Sequence, residues 1–277
     1  MALEVPTSLS PSRVEAFTSC PQAFRFASID KVPEPPTIHM SRGTLVHKAL
    51  ELLHTEPPAR RTVEVALTAL DRAYTELAPT ADFADLYLSD DQQHILLDEA
   101  AVLVRRSFEL EDPRLVRSIG LELKLEARVG SLTLRGIIDR LDLDDNGDLV
   151  VTDYKTGRPP SVKYEQSRLN GVQFYAFLCE QNFGRRPARV QLLYLSEPLA
   201  ILTAPSAQQV RFLPKRVNAV WQAVERACER DDFRPRPGPL CESCFYRAWC
   251  PAFGGDPALA AIEAPLVLAA RAPTAAA

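Results

Sequence analysis

The stretch from Leu132 to Tyr154 constrains the fold more than any other. Two β-rich runs, Leu132 to Leu143 and Asp148 to Tyr154, flank the turn sequence Asp144-Asp145-Asn146-Gly147. Asn-Gly is the strongest short hairpin signal, because both residues tolerate the positive φ of a type I′ turn. A third run, Ile119 to Val129, precedes them across Gly130, so three antiparallel strands are expected. A helix over about Gln166 to Asn182 and a strand over Val190 to Leu195 complete a β-β-β-α-β core, an α/β arrangement on a mixed sheet.

That hairpin carries the chemistry. In Val150-Val151-Thr152-Asp153-Tyr154-Lys155, strand alternation puts Asp153 and Lys155 on one face and Tyr154 on the other. The partner strand carries Gly136-Ile137-Ile138-Asp139-Arg140, and pairing across the turn brings Asp139 toward Asp153. Two carboxylates on adjacent strands beside a lysine suit phosphodiester hydrolysis. Carboxylate oxygens hold Mg²⁺, a hard cation that keeps several waters. Such an ion lowers the pKa of a water and offsets charge developing on phosphate. Lys155 orients the water or stabilises the transition state, and Gly157 permits a sharp exit from the strand. The plain alternative is an exposed Asp-x-Lys pair facing a solvated hairpin carboxylate.

The rest of the chain is mostly helical. Ser8 to Phe26 reads as a helix capped by Ser8 or Ser10, with Val14, Phe17 and Phe24 as core candidates. A connector follows at Pro33, Pro35 and Pro36, then a helix over Ser41 to Leu53. Arg61 to Leu110, broken near Pro79, reads as a helical insertion of about residues 60–112. Ser206 to Arg230 is a further helix, and residues 256–277, rich in Ala and Pro, read as a poorly ordered tail. No apolar run reaches the ~20 residues of a membrane span, and Met1 to Pro11 lacks the pattern of a signal peptide. A cytoplasmic protein with no membrane partner is expected. The net charge of −4 does not advertise a nucleic-acid binder, but a local basic groove can coexist with acidic surroundings.

Of six cysteines, three fall within ten residues as Cys241-x₂-Cys244-x₅-Cys250, in a loop-like segment of residues 238–251 bounded by Gly238, Pro239 and Pro251. In a reducing compartment such spacing points to metal rather than disulfides. Four thiolates bind zinc or an iron–sulfur cluster equally well, and spacing alone does not separate them. Cys179 and Cys228 sit in helical patterns as small core residues.

Gly136-Ile137-Ile138-Asp139-Arg140-Leu141-Asp142 followed by Asp153-Tyr154-Lys155-Thr156-Gly157 resembles the signature of the PD-(D/E)XK nuclease superfamily, in its RecB-like exonuclease branch. Gly43-Thr44-Leu45-Val46-His47 resembles the branch's helical motif with a metal-binding histidine. The resemblance extends to Ser10-Pro11-Ser12-Arg13, to Cys20-Pro21 and to the closing cysteines, so it runs from about Ser8 to Gly255 as one nuclease domain. It implies a restriction-endonuclease-like core with N-terminal helices, a helical insertion and a C-terminal four-cysteine segment. By that resemblance Asp139 and Asp153 are metal ligands for Mg²⁺ or Mn²⁺, Lys155 is catalytic and His47 is a further ligand. Glu122 matches an acidic position of the branch, with Glu126 competing for the role. Cys20, Cys241, Cys244 and Cys250 would hold a 4Fe–4S cluster, with Zn²⁺ as the competitor, and would staple the two ends of the chain together. The branch's glutamine–tyrosine pair is incomplete: Tyr175 fits, but Gly171 stands in the glutamine position. Gln173 would lie on nearly the opposite helix face. His39, His54 and His94 read as ordinary helix-surface histidines.

The function implied is a metal-dependent DNA exonuclease acting on single-stranded or end-containing DNA in repair or recombination. A separate helicase or repair complex would supply any strand separation. Arg13, Arg42, Arg140, Arg158, Lys163 and Arg168 lie in or beside the motifs and could grip phosphates without regard to sequence. Two rivals are a non-catalytic iron–sulfur DNA-binding or assembly module of a repair complex, which intact Asp139, Asp153 and Lys155 argue against, and a nuclease of the CRISPR-adaptation type.

Overall fold

The computed structural model describes residues 3–160 and 165–272, with side chains from residue 171 onward in the second stretch. In chain order the elements are strand β1 (Ser8–Leu9), helices α1 (Pro11–Ser19), α2 (Pro21–Phe24), α3 (Ile38–Thr55), α4 (Val63–Leu77), α5 (Ala81–Ala84) and α6 (Asp90–Leu110), and strands β2 (Arg117–Val129), β3 (Leu132–Leu143) and β4 (Leu149–Lys155). Helix α7 (Glu165–Phe183), strands β5 (Arg189–Tyr194) and β6 (Leu199–Thr203), and helices α8 (Ala207–Arg230) and α9 (Ala260–Ala269) follow. The α/β core expected from the hairpin is present, with β6 added beyond it.

The chain divides into two compact units. One is built from the described parts of Met1–Pro35, Glu126–Arg135 and Phe212–Ala277, the other from Pro36–Leu125 and Gly136–Arg211. In the second unit β3 pairs antiparallel with β4, from Arg140↔Thr152 to Leu143↔Leu149. Strand β4 pairs parallel with β5, and β5 pairs antiparallel with β6. The parallel step is what α7 makes possible, since parallel strands need a long crossover. Against this sheet pack three helices whose starts are fixed by side-chain caps. Thr37, Thr62 and Ser89 accept from the backbone N–H groups of Met40, Val65 and Gln92, and Gln92 completes a capping box with Ser89. Apolar residues at helical spacing (Leu45, Val46, Ala49, Leu50 and Leu53 on α3; Ala66, Leu70 and Ala73 on α4; Leu96, Ala100, Leu103 and Val104 on α6) bury against Tyr154, Leu193 and Leu195.

The hairpin turn differs from expectation. Gly147 has φ 79°, but Asn146 is not in the left-handed region. The N–H of Gly147 donates to the Asp144 carbonyl, and the Asp144 carboxylate accepts from the N–H groups of Asn146 and Asp148. The aspartate side chain thus holds a longer loop in which only one glycine takes positive φ, in place of a two-residue type I′ turn.

In the first unit β1 pairs parallel with the start of β3 (Ser8↔Thr133, Leu9↔Leu134). The single helix expected over Ser8 to Phe26 is broken. Cys20 is extended at φ −153° and ψ 102°, ending α1 and opening α2, because the ring of Pro21 disfavours helical geometry in the residue before it. A π-helical turn, Arg25–Ile29, follows. The stretch expected as a poorly ordered tail carries α9, whose Ala260 and Ala264 are fully buried beside Phe26, Tyr246 and Trp249. Small residues four apart let this helix seat closely, a pattern that composition alone obscured.

Candidate active site and cysteine cavity

The acidic site lies in the second unit. Helix α3 supplies His47, β2 supplies Glu122, β3 supplies Asp139, and β4 supplies Asp153 and Lys155. The register places Arg140 opposite Thr152, so Asp139 and Asp153 stand one residue beyond that rung, on the same face of the hairpin. Asp139 is held by the N–H of Tyr154, which donates to its Oδ2 at 2.7 Å. His47 Nδ1 sits 3.5 Å from that same oxygen. Ligand atoms of His47, Glu122 and Asp139 lie within 4.8 Å of one another. Asp153 forms an ion pair with Lys155. Of the expected ligand trio of His47, Asp139 and Asp153, the structure brings His47 and Asp139 together with Glu122, while Asp153 pairs with Lys155.

Glu122 reaches the site through irregular backbone. Its φ is 44°, a left-handed value that costs an ordinary residue about 1–3 kcal/mol. Along β2 the exposed positions are odd-numbered at Arg117 and Ile119 but even-numbered at Lys124, Glu126 and Arg128. The alternation changes phase around Glu122. The competitor Glu126 is exposed and pairs with Arg135 at 2.7 Å.

Electrostatics mark the site as electron-rich. Burial raises the Glu122 carboxyl above its usual range, and Asp139 adds to the effect. Burial likewise lifts Asp153 to about 6, against the pull of Lys155 and with Asp139 pushing further up. For His47, burial would lower the pKa, but the hydrogen bond and charge of Asp139 outweigh it and the net shift is upward. Lys155 is raised in the same way, burial being overcome by Asp153. The Tyr175 phenol is pushed up by burial and by Asp153, Asp139 and Glu122, which sets it against the same carboxylates. A β-carbon on Gly136 would come 2.7 Å from Leu178 Cδ1 and 3.4 Å from Tyr175 Cε1, so this glycine lets α7 approach β3. Gly43 plays a similar part: a β-carbon there would come 3.1 Å from Thr156 Oγ1, where α3 meets the segment after Lys155.

The arginines divide. Arg140, expected as a phosphate contact, is 1% exposed. The alternation that aims Asp139 at the site turns Arg140 to the opposite face. There it donates to Glu111 at 2.7 Å, Asp142 at 2.9 Å, Thr152 at 3.2 Å and His54 Nε2 at 2.8 Å, and also to the Tyr154 hydroxyl. His54, expected on a helix surface, is buried in this cluster, and burial with the nearby Arg140 and Arg61 charges lowers its pKa to about 2. Arg42 is engaged with Glu99 and with His39 at 3.2 Å, and Arg13 donates to the Ser8 carbonyl at 3.3 Å. Arg158 is exposed just past Gly157. Lys163 and the side chain of Arg168 lie outside the described residues.

In the first unit Cys20, Cys241, Cys244 and Cys250 line one cavity that opens to solvent. The break before Pro21 sets Cys20 at this cavity, and short 3₁₀ turns at Pro239–Glu242 and Phe245–Trp249 carry the others. Burial raises the Cys244 thiol, with the other three cysteines adding to the effect, and the Gly238 N–H donates to Cys241 Sγ at 3.3 Å. The segment is locked behind Cys250: Gly255 N–H donates to the Cys250 carbonyl at 3.0 Å. A β-carbon on Gly255 would fall 2.2 Å from the Ala248 carbonyl oxygen. Cys179 and Cys228 are fully buried core residues, as expected.

A mixed sheet whose adjacent strands present Asp139 and Asp-x-Lys to one buried face defines a nuclease scaffold, and the family comparison agrees. The chain belongs to the PD-(D/E)XK nuclease superfamily, whose profile matches residues 8–251. Over 88% of its length it is similar to Gene 69 protein of Mycobacterium phage L5, at 22% identity across 96% of that protein. It is similar to Gene 69 protein of Mycobacterium phage D29 at 23% identity, with the same coverage of both chains. Its fold is similar to that of a Eubacterium rectale protein whose exonuclease assignment is itself provisional, with a TM-score of 0.56 and 11% identity over 86% of this chain and 87% of that one. At that identity the likeness concerns the fold alone. Among the described residues, no helix is long and apolar enough to cross a membrane.

Proposed function

We propose that the chain is a divalent-metal-dependent DNA exonuclease of the RecB-like branch, acting on single-stranded or end-containing DNA in repair or recombination. The observation that carries this reading is the convergence of His47, Glu122 and Asp139 within 4.8 Å, beside the Asp153–Lys155 ion pair. One imidazole and two carboxylates suit Mn²⁺ or Mg²⁺; burial, with the Asp139 charge adding to it, raises Glu122 and Asp153, and a dication would offset the carboxylate charge. When bound, such an ion supplies Lewis acidity toward phosphate oxygens. The chain's own groups do the rest. Asp153 fixes the Lys155 ammonium, which carries positive charge toward the scissile phosphate. Tyr175 walls the site on the α7 side, and Arg158, exposed just past Gly157, is placed to meet the backbone of the substrate.

The four cysteines line one cavity, and on the family resemblance they would hold a 4Fe–4S cluster, with zinc as the competitor for four thiolates. A cluster bound there would supply folding energy that ties Cys20 to the later three cysteines.

The test uses protein purified without oxygen and end-labelled single- and double-stranded DNA, with Mn²⁺, with Mg²⁺ and with chelator. Metal-dependent release of label from ends, lost in Asp139→Ala, is the expected result. Activity undiminished in Asp139→Ala would overturn the mechanism. A wild-type protein that binds DNA without cleaving it would favour the non-catalytic module.

A further inference from the structure

One polar group at the cysteine cavity is unused by the four-thiol arrangement. Gln22, two residues beyond Cys20, lines the cavity with the thiols. It is 3% exposed, and its side-chain Nε2 has no hydrogen-bond acceptor among the described residues. A buried N–H group left without an acceptor is costly, so a native position of this kind calls for an acceptor. Other polar neighbours are engaged elsewhere. The Tyr246 hydroxyl is directed to Val32 and Glu34, Arg236 donates to the Thr18 carbonyl, and the Arg247 guanidinium lies 4.6 Å over the Phe253 ring. Among the remaining lining side chains, the acceptors are the cysteine sulfurs. The site already uses one N–H to sulfur contact, from the Gly238 backbone to Cys241.

We propose that Gln22 donates a hydrogen bond to a sulfur of the iron–sulfur cluster held by Cys20, Cys241, Cys244 and Cys250, and so sets the cluster's reduction potential and its resistance to air. The inference rests on the cluster reading given above. Its physical basis is that the reduced cluster carries one more negative charge, so an N–H aimed at sulfur stabilises the reduced form more than the oxidised one. Gln22 is a positioning and tuning residue, with no part in phosphodiester cleavage.

The experiment compares full-length wild type with Gln22→Leu, which fills the same volume without the donor. Iron and acid-labile sulfide per chain, the midpoint potential from an optical titration, and the rate of bleaching in air are measured, with nuclease activity as a separate readout. The expected outcome is a Gln22→Leu protein with near wild-type iron content, a more negative midpoint and bleaching several-fold faster. An unchanged midpoint and bleaching rate at equal iron content would overturn the proposal. Should Gln22→Leu lose its iron altogether, Gln22→His, which restores an N–H, decides. Recovery of the cluster supports the proposal, and continued loss overturns it. Wild-type protein lacking iron and sulfide would instead remove the cluster reading itself.

Discussion

The two faces of the β3–β4 hairpin are built from the same residue types and do opposite things. On one, Arg140 is enclosed by Glu111, Asp142, His54, Thr152 and Tyr154, and every group of its guanidinium has an acceptor. Gln191 and the Asp142 carboxylate complete the set through Thr152. On the other, Asp139, Asp153 and Glu122 outnumber the cations facing them, and two of these carboxyls are shifted upward. A closed ionic set rigidifies a core; an open one waits for a partner. One residue of strand alternation separates the closed set of charges from the open one.

Breaking the closed face should have the largest effect. Arg140→Leu leaves Glu111 and Asp142 buried without their partner, and urea unfolding should record a loss of about 3–5 kcal/mol. Asp139→Asn on the open face should cost far less stability while abolishing cleavage. Next in size, Lys155→Ala should lower the cleavage rate roughly 10²–10³-fold in a chain that still folds by circular dichroism.

Glu122→Gly sharpens the contrast differently. Glycine accepts φ 44° without strain, so the metal-free protein should hold its stability or gain about 1 kcal/mol. The stabilisation of about 2.7 kcal/mol expected of wild type at a hundredfold excess of Mn²⁺ over Kd should vanish, as paired thermal melts would reveal. A variant that kept the Mn²⁺ effect would remove Glu122 from the ligand set.

The smallest effect concerns acid. His54 accepts from Arg140 through Nε2 and is held neutral, its folded pKa about 2 against an ordinary 6.5. A depressed histidine contributes its full stability above the unfolded pKa and loses it as pH falls through the window below 6.5. Asp153 and Glu122 have raised pKa values and pull the other way over part of that window, so the readout is a difference. Relative to His54→Gln, wild type should lose about 1.4 kcal/mol per pH unit between pH 6.5 and 5. Parallel pH profiles would remove His54 from the closed set.

Much of this was legible in the sequence because it depends on short-range periodicity. Alternation over Val150 to Lys155 separates Asp153 and Lys155 from Tyr154, and the structure keeps that separation. The helices of the insertion announce themselves by Thr62, Ser89 and apolar spacing. Arg140 was open to the same argument, since it neighbours Asp139 and must face away. The Cys20 break was also open to it, since Pro21 restricts the residue before it. Glu122, with Glu126 competing, was reachable only through the family resemblance. Its place depends on a phase change in β2 that no local pattern signals, since a glutamate at positive φ goes against intrinsic preference and is imposed by its surroundings. The helix α9 escaped for a related reason: an Ala- and Pro-rich stretch has little periodic signal, and only the close seat for Ala260 and Ala264 reveals its buried side.

The interleaving of the two units has a consequence for biogenesis. Cys20 leaves the ribosome early, but Cys241, Cys244 and Cys250 follow more than two hundred residues later. All residues of the unit bearing His47, Asp139 and Lys155 are made before them, through Arg211. The unit bearing the acidic site can thus fold during translation, while the unit that includes Cys20 must wait for the segment from Cys241 to Cys250. A nascent chain would carry a formed acidic centre beside an unfinished unit, and on the cluster reading proposed above delivery of iron would act as a late checkpoint on that second unit.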